Sequence, residues 1–108
     1  MDFNKVTLDM DGGVATVTLN HPEVMNAISI DMLEGLADAM DAIEDKANGV
    51  RCVVLTGAGR GFCAGANLQG RNTGEKRGAG AVLESHYHPL LRRIRHLHCP
   101  VVTAVNGV

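Results

Sequence analysis

The sequence has few aromatic residues, few cysteines and little net charge. It contains two phenylalanines, one tyrosine and no tryptophan, so aliphatic side chains and methionine must supply the core. Its cysteines, Cys52, Cys63 and Cys99, are odd in number and have no CxxC spacing, which favours neither a disulfide framework nor a zinc site. The formal net charge is −2, and the arginines at 92, 93 and 95 form one basic cluster. That cluster is interpreted as the solvated face of a helix, and no nucleic-acid partner is expected.

Long apolar runs are missing as well. No stretch approaches the roughly 18 apolar residues of a membrane span, and no apolar segment follows a basic start, as a secretory signal would. Hydrophobic residues make up 45% of the 108-residue chain, which is enough for one core. The expectation is a soluble cytoplasmic protein with no membrane partner.

The first elements are predicted to be a β-hairpin. Lys5–Leu8 and Val14–Leu19 alternate apolar and polar residues, as half-buried strands do. Between them, Asp11-Gly12-Gly13 supplies residues that tolerate a positive φ angle, which is typical of a hairpin turn. Pro22 is expected to end the second strand.

An amphipathic helix follows. Its apolar residues recur at steps of three and four and predict one buried stripe: Ile30, Leu33, Leu36, Ala37, Met40, Ile43 and Ala47. Ser29 is the expected N-cap, and Asn48-Gly49 is the expected C-terminal stop.

The remaining elements extend an α/β pattern. Cys52–Leu55 is predicted to be a strand covered on both faces, joined to the hairpin by a right-handed parallel crossover. Residues 69–80 are predicted to be a surface loop. A helix over residues 81–97 should be kinked or split at Pro89, and Val101–Val105 should be a buried strand. The order is β-β-α-β-α-β, and since the chain stops after a buried strand, a fragment of a larger domain is expected.

Residues 57–68 form a glycine-dense turn. It lacks the G-x-G-x-x-G spacing of dinucleotide-binding loops, and Arg71-Asn72 stand where a P-loop needs lysine and serine or threonine. Glycines let backbone N–H groups approach a ligand closely, and a helical turn beginning near Ala66 would aim such donors at one anion. From spacing alone, an oxyanion hole and a plain turn both remain open.

Three segments carry the motifs of a known family. Residues 19–28, LNHPEVMNAI, resemble the crotonase (enoyl-CoA hydratase/isomerase) pattern L-N-R-P-x-x-x-N-A-L. Residues 53–68, VVLTGAGRGFCAGANL, resemble its V-L-T-G-x-G-x-x-F-x-A-G-A-D-L. Residues 100–108, PVVTAVNGV, resemble the strand that leads to its second glycine-rich loop. The resemblance implies a crotonase-type ββα spiral, of which residues 1–108 are the N-terminal part, with the C-terminal remainder of the domain absent.

The resemblance also implies a function. The intact protein is expected to be a hydratase (a lyase) or an isomerase of acyl-CoA thioesters, with an enolate-like intermediate held in a backbone oxyanion hole. Ala66 matches the position of one backbone donor, while the second donor and the acid/base carboxylates would lie beyond Val108. Residues that match coenzyme A contacts in the family are Val24, Met25, Ala27, Ala64, Asn67 and Leu68.

The family likeness extends to cofactors, assembly and subfamily. It implies no metal or redox cofactor, because coenzyme A enters as part of the substrate, and a homotrimer or dimer of trimers is expected. Residues 69–72 and 87–94 resemble the isomerase branch of phenylacetate degradation. Three positions depart from the family pattern: His21 replaces arginine, Asn67 replaces a common aspartate, and Gln69 replaces a lysine that some hydratases place near the coenzyme phosphates.

Other interpretations predict different behaviour. A truncated, inactive crotonase would retain at most coenzyme A binding or subunit association, since half an oxyanion hole without an acid/base group should not turn over. A nucleotide-binding switch would show saturable affinity for ATP or GTP. The histidine pairs 86/88 and 96/98 are two residues apart, so they point apart on a helix and do not favour a metal site. Cys63 is interpreted as a packing residue.

Overall fold

A computed structural model describes residues 1–65 and 87–108 of the chain. These residues form one five-stranded sheet, whose strand order follows the chain, together with two helices. The strands are β1 (Asp2–Phe3), β2 (Val6–Asp11), β3 (Val14–Leu19), β4 (Cys52–Gly57) and β5 (Val101–Thr103), and the helices are α1 (Ile30–Glu44) and α2 (His88–Arg95). The α/β class expected from the sequence is confirmed. The predicted loop over residues 69–80 and the first part of the predicted second helix lie outside the described residues.

The antiparallel hairpin is confirmed, with corrected bounds. Strand β2 begins at Val6 and runs on to Asp11, three residues past the predicted end. Gly12 and Gly13 make the turn with φ angles of +59° and +85°, and β3 has its predicted bounds. Strand β1, which pairs antiparallel with β2, has no counterpart in the sequence prediction because two residues are too few to show a periodicity.

Strands β3, β4 and β5 are parallel. Val17 of β3 lies beside Leu55 of β4, which in turn lies beside Thr103 of β5. The carboxyl ends of parallel strands meet at one edge of a sheet, and the loops that leave them therefore lie side by side.

Helix α1 packs against the sheet and supplies much of the core. Ser29 caps it as predicted, its hydroxyl oxygen accepting a hydrogen bond of 3.2 Å from the Met32 N–H. The buried face is displaced from the predicted stripe, since Ile30 is 39% exposed and Ala47 lies beyond the helix. Residues of α1 that are buried are Met32, Leu33, Gly35, Leu36, Ala39, Met40 and Ile43.

The C-terminus of α1 also differs from the prediction. The helix ends at Glu44, and a short 3₁₀ turn, Lys46–Asn48, follows it. The Asp45 carboxylate accepts a hydrogen bond of 3.0 Å from the Ala47 N–H, which starts this second turn. Gly49, with a φ angle of +62°, therefore ends the 3₁₀ turn and not the helix.

The two parallel strands predicted to be buried are only partly covered by the described residues. In β4, Val53 is 1% exposed on the side of α1, whereas Val54 is half-buried. Strand β5 is shorter than predicted, and Val102 is 53% exposed. The predictions of full burial are therefore wrong for the part of the chain that the structure describes.

The kink or split expected at Pro89 falls near the boundary of the described residues: α2 begins at His88, so Pro89 lies in its first turn. Proline fits the start of a helix because the first N–H groups have no intrahelical partner. Leu90 is buried, and the Arg93 guanidinium reaches α1, where it contacts the Asp41 carboxylate at 2.6 Å and Glu44 at 3.1 Å. No helix within residues 1–65 or 87–108 has the length and hydrophobicity to cross a membrane.

Candidate functional site

Three segments converge at the carboxyl edge of the parallel strands. Residues 20–28 follow β3, residues 58–65 follow β4, and residues 104–108 follow β5. They are the same three segments that carry the sequence motifs, although up to about eighty positions of sequence separate them.

The first segment is a tight double turn. A 3₁₀ turn over Pro22–Val24 is followed by two consecutive left-handed residues, Met25 and Asn26, with φ angles of +51° and +57°. The His21 carbonyl accepts hydrogen bonds from the N–H groups of Val24 (3.2 Å) and Asn26 (2.9 Å). A left-handed methionine is strained, and such strain persists only where the surroundings fix the backbone.

The Asn26 side chain provides that fixation. It is fully buried. Its carboxamide oxygen accepts from the His21 N–H at 2.7 Å, and its amide nitrogen donates to the carbonyls of Ala58 (3.0 Å) and Gly61 (2.9 Å). Burying a carboxamide is costly unless its hydrogen bonds are satisfied. The bond from His21 braces the first segment itself, and the two bonds to Ala58 and Gly61 join it to the second segment.

The second segment turns sharply at the end of β4. A Cβ atom on Gly57 would stand 2.6 Å from the Phe62 carbonyl oxygen and 2.7 Å from that of Gly61. Because no side chain is tolerated at such distances, only glycine lets the turn close on itself here. The Ala58 N–H donates to the Leu19 carbonyl at 2.8 Å and holds the turn against the end of β3.

The third segment holds the turn from the other side. The Asn106 carboxamide oxygen accepts from the Gly57 N–H at 3.1 Å, and its nitrogen donates to the carbonyls of Gly59 (3.1 Å) and Gly61 (3.4 Å). The Val108 carbonyl accepts from the N–H groups of Phe62 and Cys63, at 2.8 and 3.1 Å.

Two further hydrogen bonds link the end of the turn to the first segment. The Ala64 N–H donates to the Met25 carbonyl at 3.0 Å, and the Ile28 N–H donates to the Gly65 carbonyl at 2.6 Å. Gly65 has a φ angle of +104°, which favours glycine. The backbone is thus fixed from Gly57 to Gly65, immediately before the position of Ala66.

The structure brings four of the predicted site residues together. Val24 and Met25 are half-buried and Ala27 is buried. Ala64 is exposed and lies next to them, because its N–H donates to the Met25 carbonyl. Ala66, Asn67 and Leu68 lie outside the described residues. Sequence reasoning did not single out Asn26 and Asn106, the two side chains that hold the turn, although both stand inside the motifs and asparagine tolerates the left-handed backbone that Asn26 adopts.

Other candidate residues occupy structural positions. Cys63 is half-buried against the hydrophobic core, as predicted. The His98 ring nitrogen Nε2 lies 2.8 Å from the Val50 carbonyl. Within the described ranges no three His, Cys, Asp or Glu side chains are grouped as a metal site would require. Nε2 of His21 lies 3.8 Å from the Glu23 carboxylate, and its Nδ1 is buried without a hydrogen-bond partner.

Curated relatives are similar in sequence over most of this chain. The 1,2-epoxyphenylacetyl-CoA isomerase of Escherichia coli is 45% identical over 102 residues, covering 92% of this chain and 38% of the relative. A short-chain-enoyl-CoA hydratase of Clostridium acetobutylicum is 38% identical over 111 residues, covering 99% of this chain and 41% of the relative. The chain therefore spans about two fifths of the length of these relatives.

Solved structures agree with the fold and the family. An enoyl-CoA hydratase of Mycobacterium smegmatis matches with a TM-score of 0.82 and 33% identity, covering 94% of this chain and 39% of the other. An enoyl-CoA hydratase of Bacillus anthracis matches with a TM-score of 0.80 and 32% identity, covering 95% and 40%. Residues 9–108 match the family profile described as Enoyl-CoA hydratase/isomerase. The chain therefore belongs to the enoyl-CoA hydratase/isomerase family, with a crotonase-type fold.

Proposed function

We propose that the complete protein acts on an acyl-CoA thioester, as a hydratase or an isomerase. The observation that carries this proposal is the convergence of the three family motifs at one edge of the sheet, where hydrogen bonds fix the backbone up to Gly65. Ligand sites of α/β sheets characteristically lie outside the carboxyl ends of the strands.

The reaction would proceed through an enolate-like intermediate. The backbone N–H of Ala66 is the proposed donor to the thioester carbonyl oxygen, with a second donor outside residues 1–108. As a proton leaves the carbon beside the carbonyl, negative charge develops on that oxygen, and fixed N–H groups stabilise the charge without reorganising. One such donor contributes about 3–4 kcal/mol to transition-state stabilisation. A carboxylate outside residues 1–108 would move the proton.

Coenzyme A would bind where the first segment and the glycine turn are hydrogen-bonded to each other, and it would contact residues of both. Val24, Met25 and Ala27 would line one side, and Ala64 with Asn67 and Leu68 the other. The family likeness and the direct bonds between Met25, Ala64, Ile28 and Gly65 support this placement. Coenzyme A would enter with the substrate, and no metal or redox cofactor is proposed.

The acyl group, assembly and location are finer proposals. The E. coli relative is named for its action on 1,2-epoxyphenylacetyl-CoA, so ring-derived CoA thioesters belong among the candidate substrates beside short 2-enoyl-CoAs. We propose a cytoplasmic homotrimer or dimer of trimers, as the family resemblance implies.

Replacing Ala66 tests the proposed donor. The protein would be expressed from its complete natural reading frame and assayed with crotonyl-CoA, a 3-enoyl-CoA and 1,2-epoxyphenylacetyl-CoA. Ala66→Pro deletes the backbone N–H, and kcat should fall by about 10²–10³-fold, the usual effect of losing one oxyanion donor. Ala66→Gly is the matched control, because it removes the methyl group but keeps the N–H.

Two results would contradict the proposal in different ways. Equal activity in the proline and glycine variants would show that this N–H is not a donor. A parent protein that neither binds coenzyme A nor converts any of the three thioesters would refute the substrate class.

A further inference from the structure

We infer that Asn26 and Asn106 are positioning residues that set the oxyanion-hole turn, and we call them the asparagine clamp. Each carboxamide holds backbone groups of the Gly57–Gly61 turn, and both nitrogens donate to the same atom, the Gly61 carbonyl oxygen. The inference rests on the function proposed above, because it assigns the clamp a role in polarising the thioester.

The clamp reaches the turn from two independent segments. Asn26 holds the carbonyls of Ala58 and Gly61 from the loop that follows β3. Asn106 holds the Gly57 N–H and the Gly59 carbonyl from the segment that follows β5. Gly61 itself is buried between them. The turn is thus fixed at both its start and its end by side chains from outside it.

The clamp also reaches the residues immediately before the proposed donor. Asn26 is flanked by Met25, whose carbonyl accepts from Ala64, and Ile28 beyond it donates to the Gly65 carbonyl. Asn106 precedes Val108, whose carbonyl accepts from Phe62 and Cys63. A shift of either asparagine would therefore move residues 62–65, on which the position of the next N–H depends.

Asparagine suits the Asn26 position for two physical reasons. Its left-handed φ angle of +57° is tolerated by asparagine better than by most residues. Its carboxamide can accept one hydrogen bond and donate two at once, which is the set that the His21 N–H and the carbonyls of Ala58 and Gly61 require. Aspartate has the same shape but would turn a carboxylate oxygen toward those two carbonyls.

The test compares Asn26→Ala, Asn26→Asp and Asn106→Ala with the parent, all expressed from the complete natural reading frame. Asn48→Ala is the matched control, because Asn48 also donates a side-chain N–H to a carbonyl, that of Ala42 at 2.7 Å, but does so at the end of α1. The probes are free coenzyme A and cinnamoyl-CoA, whose conjugated chromophore absorbs at longer wavelength when its carbonyl is polarised. Crotonyl-CoA serves for turnover.

We expect the clamp variants to lose polarisation more than binding. Misplacing a catalytic group by about 1 Å costs roughly 10²-fold, so kcat should fall by about that factor, and the red shift of bound cinnamoyl-CoA should shrink. The dissociation constant of free coenzyme A should rise by less than about tenfold, because the residues that shift carry only some of its six proposed contacts and free coenzyme A has no thioester carbonyl to polarise. Asn48→Ala should match the parent in all three measurements.

Three outcomes would overturn the inference. Clamp variants with the parent's kcat and red shift would show that the turn does not need the clamp. A parallel loss of coenzyme A binding and kcat would show a merely structural role. A parent protein that gives no red shift would refute the proposed function itself, and with it the inference.

If the Asn26 variants fail to fold, Asn106→Ala still decides the question, because Asn106 is exposed.

Discussion

Asn26 and Asn106 act on backbone groups and show how this site is organised at the scale of single residues. Every hydrogen bond that their carboxamides make with the glycine turn joins a peptide N–H or carbonyl. Oxyanion stabilisation depends on where backbone donors stand. The polar side chains at this edge of the sheet are therefore expected to set geometry and not to react.

The sequence could predict the glycine turn, but not the side chains that hold it. The motifs and the glycines indicate an unusual turn, and an asparagine such as Asn26 is common shortly before a helix. Its partners, however, are 32 and 35 positions away in sequence, and no local pattern predicts which carbonyls a carboxamide will meet. The family motif drew attention to Ala66, whereas the buried residue that holds the turn became visible only in three dimensions.

Gly35 provides a prediction at the residue scale. Glycine inside a helix normally costs about 1 kcal/mol relative to alanine, so Gly35→Ala would ordinarily stabilise the protein. Here the added Cβ would overlap the carbonyl oxygen of Asn4, which is backbone and cannot swing away. We expect Gly35→Ala to lower the free energy of unfolding by about 1–3 kcal/mol, measured by urea denaturation.

Gly12→Ala is the companion variant for this measurement. Its φ angle is +59° and the space around it is open, so it should cost only the left-handed strain of about 1–2 kcal/mol. A stabilised Gly35→Ala protein would show that the turn at Asn4, between β1 and β2, moves away from α1 easily and that this close contact is not a fixed part of the fold.

At the scale of elements, periodicity predicted where helices and strands exist better than where they end. The apolar stripe located α1, but the end of the helix depends on the Asp45 carboxylate, which starts a 3₁₀ turn before Gly49 is reached. The helix predicted over residues 81–97 was expected to be kinked or split at Pro89, and within the described residues α2 begins at His88, so that Pro89 stands in its first turn. In both cases one residue is compatible with two local structures, and tertiary contacts select between them.

The contact between α1 and α2 gives a prediction at this scale. Arg93 joins the two helices through Asp41 and Glu44 and also donates to the Ala37 carbonyl at 3.4 Å. The hydrogen bond with Glu44 is the main cause that raises the pKa of Arg93, so the guanidinium stays charged at every pH at which the protein would be studied. Exposed ion pairs contribute at most about 1 kcal/mol.

We therefore expect Arg93→Met to lower the free energy of unfolding by about 0.5–1 kcal/mol in low salt. The loss should shrink in 1 M NaCl, where the Debye length falls to about 3 Å. Arg92→Met, at an exposed position of the same helix, is the control and should change stability less. An equal effect of the two substitutions at both salt concentrations would contradict an ion-pair link between the helices.

At the scale of the whole molecule, local patterns gave the class of the fold, and the family motifs gave its topology. The alternation in β3 and the apolar run of β4 predicted both strands, and a helix between them favoured a parallel pair, which the structure confirms. The burial of individual strand residues was predicted less accurately than the strands themselves. Val54 and Val102 are as apolar as core residues, but whether they are covered depends on what packs on that face of the sheet.

The asparagine clamp leads to a prediction at the scale of the whole molecule, because its two residues belong to segments that only the folded chain brings together. Because Asn26 and Asn106 both donate to the Gly61 carbonyl, each single alanine substitution leaves that buried oxygen one donor, and the double substitution leaves it neither. A buried carbonyl without a partner is costly. The double variant should therefore lose more free energy of unfolding than the two single variants together, with a coupling of about 0.5–3 kcal/mol.

Asn26 and Asn48 form the control pair for this double-mutant cycle. The 15 residues of α1, about 22 Å of helix, lie between them, and the Asn48 side chain donates to the Ala42 carbonyl, which is not a partner of Asn26. Their effects should add within about 0.5 kcal/mol. If the Asn26/Asn106 pair were equally additive, the Gly61 carbonyl would not couple the two segments, and the turn would be held by its other hydrogen bonds, among them the backbone bonds to Leu19, Met25 and Val108.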